Sequence, residues 1–139
     1  MTDFRRATPE DIPRLIEIRG AVQENRLSDP ASVTRQDYER FVRQGRVWVA
    51  EVSGRIAGFS ASDPGDGTIW ALFVDPGHQG AGLGAALLDR ACADLAQDGC
   101  ATARLSTDPG TRAERLYRRL GWVDRGPGPD GEVAFERQL

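Results

Sequence analysis

The chain has 139 residues, 40% hydrophobic and 28% charged, with a net charge of −3 and an isoelectric point near 5.2. That balance suits one globular domain over 1–139 and excludes a nucleic-acid binder that works through a broad basic patch. All 18 basic residues are arginine, so a Walker phosphate loop and lysine Schiff-base chemistry are both excluded.

No stretch of about 18 apolar residues occurs, so no membrane span is expected. The first residues, Met1-Thr2-Asp3-Phe4-Arg5, lack the apolar core of a secretory signal, and a cytoplasmic location is expected. Cys92 and Cys100 match no metal or redox spacing and read as small buried hydrophobes of a reducing compartment. With a single histidine, no metal site is expected.

In chain order, 4–7 reads as a first strand. Thr8-Pro9-Glu10-Asp11 then opens a helix, with Thr8 as N-cap, Pro9 at the first helical position and acids in the first turn. Ile12, Leu15, Ile16, Arg19 and Val22 continue at helical spacing and predict its buried stripe. The polar segment 24–30 breaks the pattern. Thr34 caps a second helix that carries Tyr38, Phe41 and Val42 and stops at Gly45. Runs 47–52 and 55–61, joined by Ser53-Gly54, predict a tight hairpin. The turn cluster Asp63-Pro64-Gly65-Asp66-Gly67 leads to a strand over 68–74.

A helix with Leu83, Leu87, Leu88 and Leu95 on one face ends at Gly99, and a strand over 101–106 follows. Thr111 with Glu114 three residues on forms a capping box for a helix presenting Ala113, Leu116, Tyr117 and Leu120. Runs 122–124 and 133–137 are the last strands. A hairpin meander feeding a strand–helix–strand crossover predicts a mixed sheet with helices on both faces.

The chemistry concentrates between strand 68–74 and the next helix, in Gln79-Gly80-Ala81-Gly82-Leu83-Gly84. A glycine turn at a helix start lets backbone N–H groups approach an anion closely, and the helix dipole favours its charge. A phosphate or pyrophosphate is therefore expected there. Gly80, Gly82 and Ala85 fit the dinucleotide fingerprint G-x-G-x-x-G/A, which keeps a dinucleotide-binding oxidoreductase as one reading. Against it, five residues separate the strand from the glycines, and a meander precedes them.

The spacing Q-x-x-G-x-G of Gln79, Gly82 and Gly84, after Leu72-Phe73-Val74-Asp75-Pro76, resembles the acetyl-CoA-binding signature of the GNAT N-acetyltransferase superfamily. A second block, Ala113-Glu114-Arg115-Leu116-Tyr117-Arg118-Arg119-Leu120-Gly121-Trp122, resembles that family's A-x-x-L-Y-x-x-x-G-F/W motif. The resemblance covers nearly the whole chain and is strongest over 68–123. It implies an α/β fold with a mostly antiparallel sheet of about seven strands, one parallel pair splayed at the cofactor site.

By the same resemblance, the pyrophosphate rests on the backbone of Gln79, Gly80, Ala81, Gly82, Leu83 and Gly84. Leu72, Phe73 and Val74 hold the pantothenyl arm and polarise the acetyl carbonyl through backbone donors. Tyr117 matches the tyrosine that serves as general acid toward the departing sulfur. The resemblance thus implies direct transfer from acetyl-CoA to an amine, with no metal.

The general base is not carried over, because strand 68–74 holds no acid. Glu24 or Asp29 in the interhelical segment, or Glu51 in register with Val47 and Val49, are the candidates, beside a water chain. The asparagine often found before the tyrosine helix has no counterpart; Gly110-Thr111 stands there. His78 reads as a loop residue beside the glycines. Trp48, Trp70 and Trp122 read as core, with Trp70 a candidate for the acceptor wall. Arg112, Arg115, Arg118 and Arg119 crowd one helix, as a solvated face or against phosphates.

The implied partner is a small-molecule amine or a peptide. The interhelical segment leaves its charge open, since Glu24 and Asp29 suit a cation and Arg26 a carboxylate. Look-alikes commonly form a homodimer. A non-catalytic acetyl-CoA-binding regulatory module is the alternative from another class.

Overall fold

The structure, a computed structural model, describes residues 2–22 and 33–139. Seven strands, β1 (Thr2–Arg6), β2 (Val47–Val52), β3 (Arg55–Asp63), β4 (Thr68–Val74), β5 (Thr102–Thr107), β6 (Val123–Pro127) and β7 (Val133–Gln138), form one sheet in the order β1-β2-β3-β4-β5-β7-β6. Every neighbouring pair is antiparallel except β4 and β5. Among the described residues four α-helices accompany them: α1 (Ile12–Ala21), α2 (Arg35–Arg43), α3 (Leu83–Gln97) and α4 (Arg112–Arg119).

Local chemistry explains most of these elements. Ser53 and Gly54, both at positive φ (53° and 81°), make the two-residue turn between β2 and β3, whose twist matches the strands it joins. Thr34 caps α2 by accepting from the Asp37 N–H, and the Asp37 carboxylate takes the Thr34 N–H at 2.8 Å. At α4 the expected box is half formed. Thr111 Oγ1 accepts from the Glu114 N–H at 3.2 Å, but the Glu114 carboxylate reaches the N–H of Gly110 at 2.8 Å.

The two sheet faces pack differently. On one, Ile12, Leu15 and Ile18 of α1 and Tyr38, Phe41 and Val42 of α2 cover Val47, Val49, Phe59, Ala71 and Phe73. The α1 stripe therefore includes Ile18, fully buried, while the expected Ile16 is 41% exposed. Ile18 packs into the core between α1 and the sheet, and Ile16 faces outward. On the other face α3 lays Leu83 and Leu87 against Ala50 and Ala57, and Leu88, Cys92 and Leu95 against Ala103, Leu105 and Phe135. Side chains such as Leu87 and Phe59 each contribute about 1.5–3 kcal/mol by leaving water.

Charged groups tie distant elements together. Arg6 of β1 grips the buried Asp94 of α3 with bonds of 2.6 and 2.9 Å, and the Trp48 indole donates to the same carboxylate at 3.2 Å. Arg5 holds Asp11 and Glu51, whose carboxylate lies on the α1 face with Val49, as its register predicts.

β4 carries the feature that shapes the site. Its register against β3 shifts between Ala61 and Ser62, leaving Trp70 as the extra residue of a bulge. Bulges bend a strand and sharpen its twist. Beyond the bulge β4 stays paired with β3 but not with β5, which it meets only at the Thr68–Arg104 position. There Arg104 donates its N–H to the Gly67 carbonyl at 2.9 Å.

Candidate active site

A cavity of about 720 Å³ opens where β4 and β5 part. Its inner wall is Leu72, Phe73 and Val74; the glycine turn supplies Gln79, Gly80, Gly82, Leu83 and Gly84; and α4 closes the far side with Arg112, Ala113, Arg115, Leu116, Tyr117 and Arg119. Ala21 and Val22, at the end of α1, complete it. All the residues that the sequence assigns to the cofactor line this cavity except Ala81, which is exposed.

The glycine turn is set by backbone conformation. Gly80 and Gly82 have φ of +86° and +80°, and a Cβ on either would meet open space within the chain. Left-handed geometry, not crowding, therefore demands glycine. Gly82 is the N-cap of α3 and has no side chain to bond the N–H groups of the first turn, which also holds no acid. The first intrahelical bond is Ala86 N–H to the Gly82 carbonyl. The N–H groups of Leu83, Gly84 and Ala85 thus begin the helix at the cavity wall with its positive dipole end, a ready anion seat.

The turn is anchored from behind. Asp75 N–H donates to the Ala57 carbonyl at 2.8 Å. Its carboxylate accepts from Gly77 N–H at 3.0 Å and from Arg14 of α1 at 2.6 Å, which together hold its pKa below the usual carboxylate range. Gly58 lets β3 pass close to β4: a Cβ there would lie 2.9 Å from the Phe73 carbonyl oxygen and 3.1 Å from Leu87.

Tyr117 is buried, packed against Trp122 and Phe135 with ring centroids 5.8 and 5.7 Å away, and it lines the cavity. Burial drives its pKa well above that of free tyrosine, so the phenol keeps its proton at any physiological pH. Cys92 nearby is likewise pushed up, to about 11, chiefly by burial.

The base candidates fall elsewhere. Glu51 belongs to the Arg5–Asp11 cluster and does not line the cavity. Glu24, with Asp29 and Arg26, lies outside the described residues. Of the arginines on α4, Arg118 pairs with Glu114 and Asp124, while Arg112, Arg115 and Arg119 face the cavity. His78 also lines it, with Nδ1 buried. Trp122 is core, whereas Trp48 and Trp70 are half-buried. Among the described residues no group of acids, histidines and cysteines could hold a metal ion, and no helix is long and apolar enough to cross a membrane.

Sequence reasoning did not single out the end of α1 as a wall, nor Arg19 as anything but a member of the stripe. The signal was present: an arginine inside an otherwise apolar stripe is a buried charge in need of a reason.

The single parallel pair rules out the doubly wound parallel sheet that a dinucleotide oxidoreductase requires. Fold and cavity instead combine a glycine helix start with free N–H groups and a strand edge open along one side, in one cavity. A family model described as an acetyltransferase (GNAT) domain matches residues 43–124, and the chain belongs to that family.

It is 34% identical over 96 residues to GCN5-related N-acetyltransferase 1, chloroplastic, of Arabidopsis thaliana, covering 66% of this chain and 48% of the relative. The chain spans less than half the length of the curated relatives it matches, 48% and 41%. Among solved structures, Ard1 from Thermoplasma volcanium superposes with a TM-score of 0.81 at 20% identity, covering 99% of this chain and 97% of that one. The yncA protein of Salmonella typhimurium, solved with its cofactor acetyl-CoA, also gives 0.81, at 21% identity over 100% of this chain and 94% of that one.

Proposed function

We propose that these 139 residues form one acetyl-CoA-dependent N-acetyltransferase domain that moves the acetyl group directly to an amine of a small molecule or peptide. The observation that carries this reading is the opening of β4 from β5 beside an uncapped glycine helix start, in a chain of the GNAT family. Acetyl-CoA supplies an activated thioester. Backbone N–H groups from Gln79 to Gly84 seat its pyrophosphate. The unpaired edge of β4 at Leu72, Phe73 and Val74 takes the pantothenyl arm as a further strand would and orients the acetyl carbonyl.

The acceptor must lose a proton before it attacks, since a free alkyl amine has a pKa of about 10. Its nitrogen bonds to the carbonyl carbon, the carbon–sulfur bond breaks with its electron pair leaving on sulfur, and the surplus proton on nitrogen is lost and ends on the thiolate, giving the amide and CoA. A thiol of this kind has a pKa near 8.5, well below that of buried Tyr117. Tyr117 therefore stabilises the leaving sulfur by donating a hydrogen bond, and outright loss of its proton is uphill. Glu24 is the proposed base, because Glu51 is held by Arg5. The protein acts in a reducing cytoplasm, where both free cysteines persist. It needs neither nucleic acid nor membrane, and its solution mass tests a homodimer.

Thermal unfolding with acetyl-CoA, CoA and NADH tests the reading. At about a hundred times the dissociation constant, acetyl-CoA and CoA should each add about 2.7 kcal/mol, and NADH nothing. Thiol release from acetyl-CoA across an amine panel then separates an enzyme from a non-catalytic acetyl-CoA-binding module, which would show the shift without turnover. Absence of any shift with acetyl-CoA would overturn the proposal.

A further inference from the structure

The guanidinium of Arg19 is set against the sheet in the α1–α2 face. Its central carbon lies 4.7 Å from the Phe73 ring centroid and 5.7 Å from that of Trp70. Trp70 is in turn stacked on Phe41 at 4.3 Å and edge-on to Tyr38 at 5.3 Å. Arg19 also sits close enough to the Tyr38 phenol to counter the rise in pKa that burial gives it. Both rings lie within cation–π reach of the guanidinium, and that attraction offsets part of its desolvation.

Its edges are another matter. Beyond the guanidinium's contact with the Tyr38 hydroxyl, Nε and Nη1 are buried and have no hydrogen-bond partner among the described residues. No ion pair joins Arg19 to a carboxylate of the described residues, whereas Arg5, Arg6, Arg14 and Arg46 all have one. Buried charged donors without partners are costly, and a fold keeps them where something else completes them. The position says what that something reaches. Phe73, under the guanidinium, lines the cavity, and so do Ala21 and Val22, two and three residues beyond Arg19 on the same helix.

We propose that Arg19 determines acceptor specificity: its orphaned N–H groups bind a carboxylate carried by the amine that is acetylated, so the acceptor is an amino acid or a peptide presenting a carboxylate, and not a polyamine. The bulge at Trp70 serves this arrangement, because it lets Trp70 and Phe73 both turn toward one cation. The inference rests on the acetyltransferase reading and names the substrate class of that site. A carboxylate is the chemistry Arg19 selects: acceptor-only, planar and negatively charged, it satisfies donors that an amide or a bare amine would meet poorly or not at all.

The test uses the CoA-saturated protein. Amino acids and short peptides are titrated in matched sets, each free carboxylate against its carboxamide, and each amino acid against its decarboxylated amine. Binding is followed by thermal shift and by tryptophan fluorescence, since Trp70 adjoins Arg19. At least one carboxylate should bind about 10–100-fold more tightly than its amide, the range expected for hydrogen bonds to a charged group. Arg19→Gln should bring the two within about threefold, with acetyl-CoA affinity unchanged, and Arg19→Lys should keep a reduced preference.

Equal binding of acid and amide throughout, failure of every carboxylate to bind, or a preference that survives Arg19→Gln would each overturn the proposal. Arg19→Lys keeps the test available should the glutamine variant fail to fold. Loss of acetyl-CoA binding by the wild-type protein would instead overturn the acetyltransferase reading, so the two failures are told apart.

Discussion

The two halves of the sheet are each built more firmly than they are joined. β1 to β4 pair antiparallel in unbroken order with long registers, and β5, β7 and β6 pair almost as fully on the other side. Between them stands one parallel position, Thr68 against Arg104. Hairpins close through short turns, while the parallel seam requires the whole of α3 as a crossover. The contrast shows where this fold keeps polar backbone unspent: the strand edges inside each half are used on neighbours, and the edge at Phe73 and Val74 is left without a β5 partner.

The largest effect should come from altering the floor of the seam. Gly82→Val places a β-branched residue at φ +80° and a side chain over the anion seat. Left-handed strain alone is about 1–2 kcal/mol, and steric exclusion adds to it, so acetyl-CoA affinity measured by calorimetry should fall by about a hundredfold or more. Next is Tyr117→Phe. Removing the donor to the leaving sulfur should lower kcat by about a hundredfold with little change in the KM for acetyl-CoA. An equal rate in the variant would reduce Tyr117 to a packing role.

Gly58→Ala sharpens the comparison from within the firmer half. Its methyl group would meet the Phe73 carbonyl at 2.9 Å, and overpacking of this kind costs about 1–3 kcal/mol, visible as a drop of several degrees in Tm. The variant should also weaken acetyl-CoA binding, because β4 can yield only toward the seam. Asp75→Asn has a smaller effect, present at neutral pH and fading in acid. A carboxylate whose folded pKa is depressed stabilises the protein above its unfolded value of about 3.9, and the contribution is lost as pH falls through the folded value. The wild type should lose Tm below about pH 4 more steeply than Asp75→Asn, a difference that scanning calorimetry resolves. Smallest of all, iodoacetamide at pH 8 should modify the half-buried Cys100 before Cys92, whose thiol burial holds near 11.

Much of this fold is legible in local pattern. The bounds of β2 and β4 come from apolar runs flanked by turn residues, and Ser53-Gly54 fixes a hairpin on its own. The glycine turn, Phe73, Val74 and Tyr117 come together because two motifs on either side of α3 and β5 are brought to one cavity by a crossover that the alternation of strand and helix implies. The unreadable parts are long-range. Nothing near Asp94 announces that Arg6 and Trp48 will hold it, and nothing near Glu51 announces Arg5. The bulge at Trp70 depends on how β3 and β4 share a twist, which no period of two or 3.6 records. Ile16 and Ile18 lie two positions apart on α1, and only packing against the sheet chose between them.

The edge at Phe73 and Val74 has a consequence for how such a domain changes over generations. What it offers a ligand belongs to the peptide groups, which every amino acid except proline carries in full. Side chains along β4 and at the end of α1 can therefore be exchanged without erasing that shared machinery. A lineage can try new acceptors one residue at a time, with Arg19 first among them on the assignment proposed above, while the donor is still received in the same way.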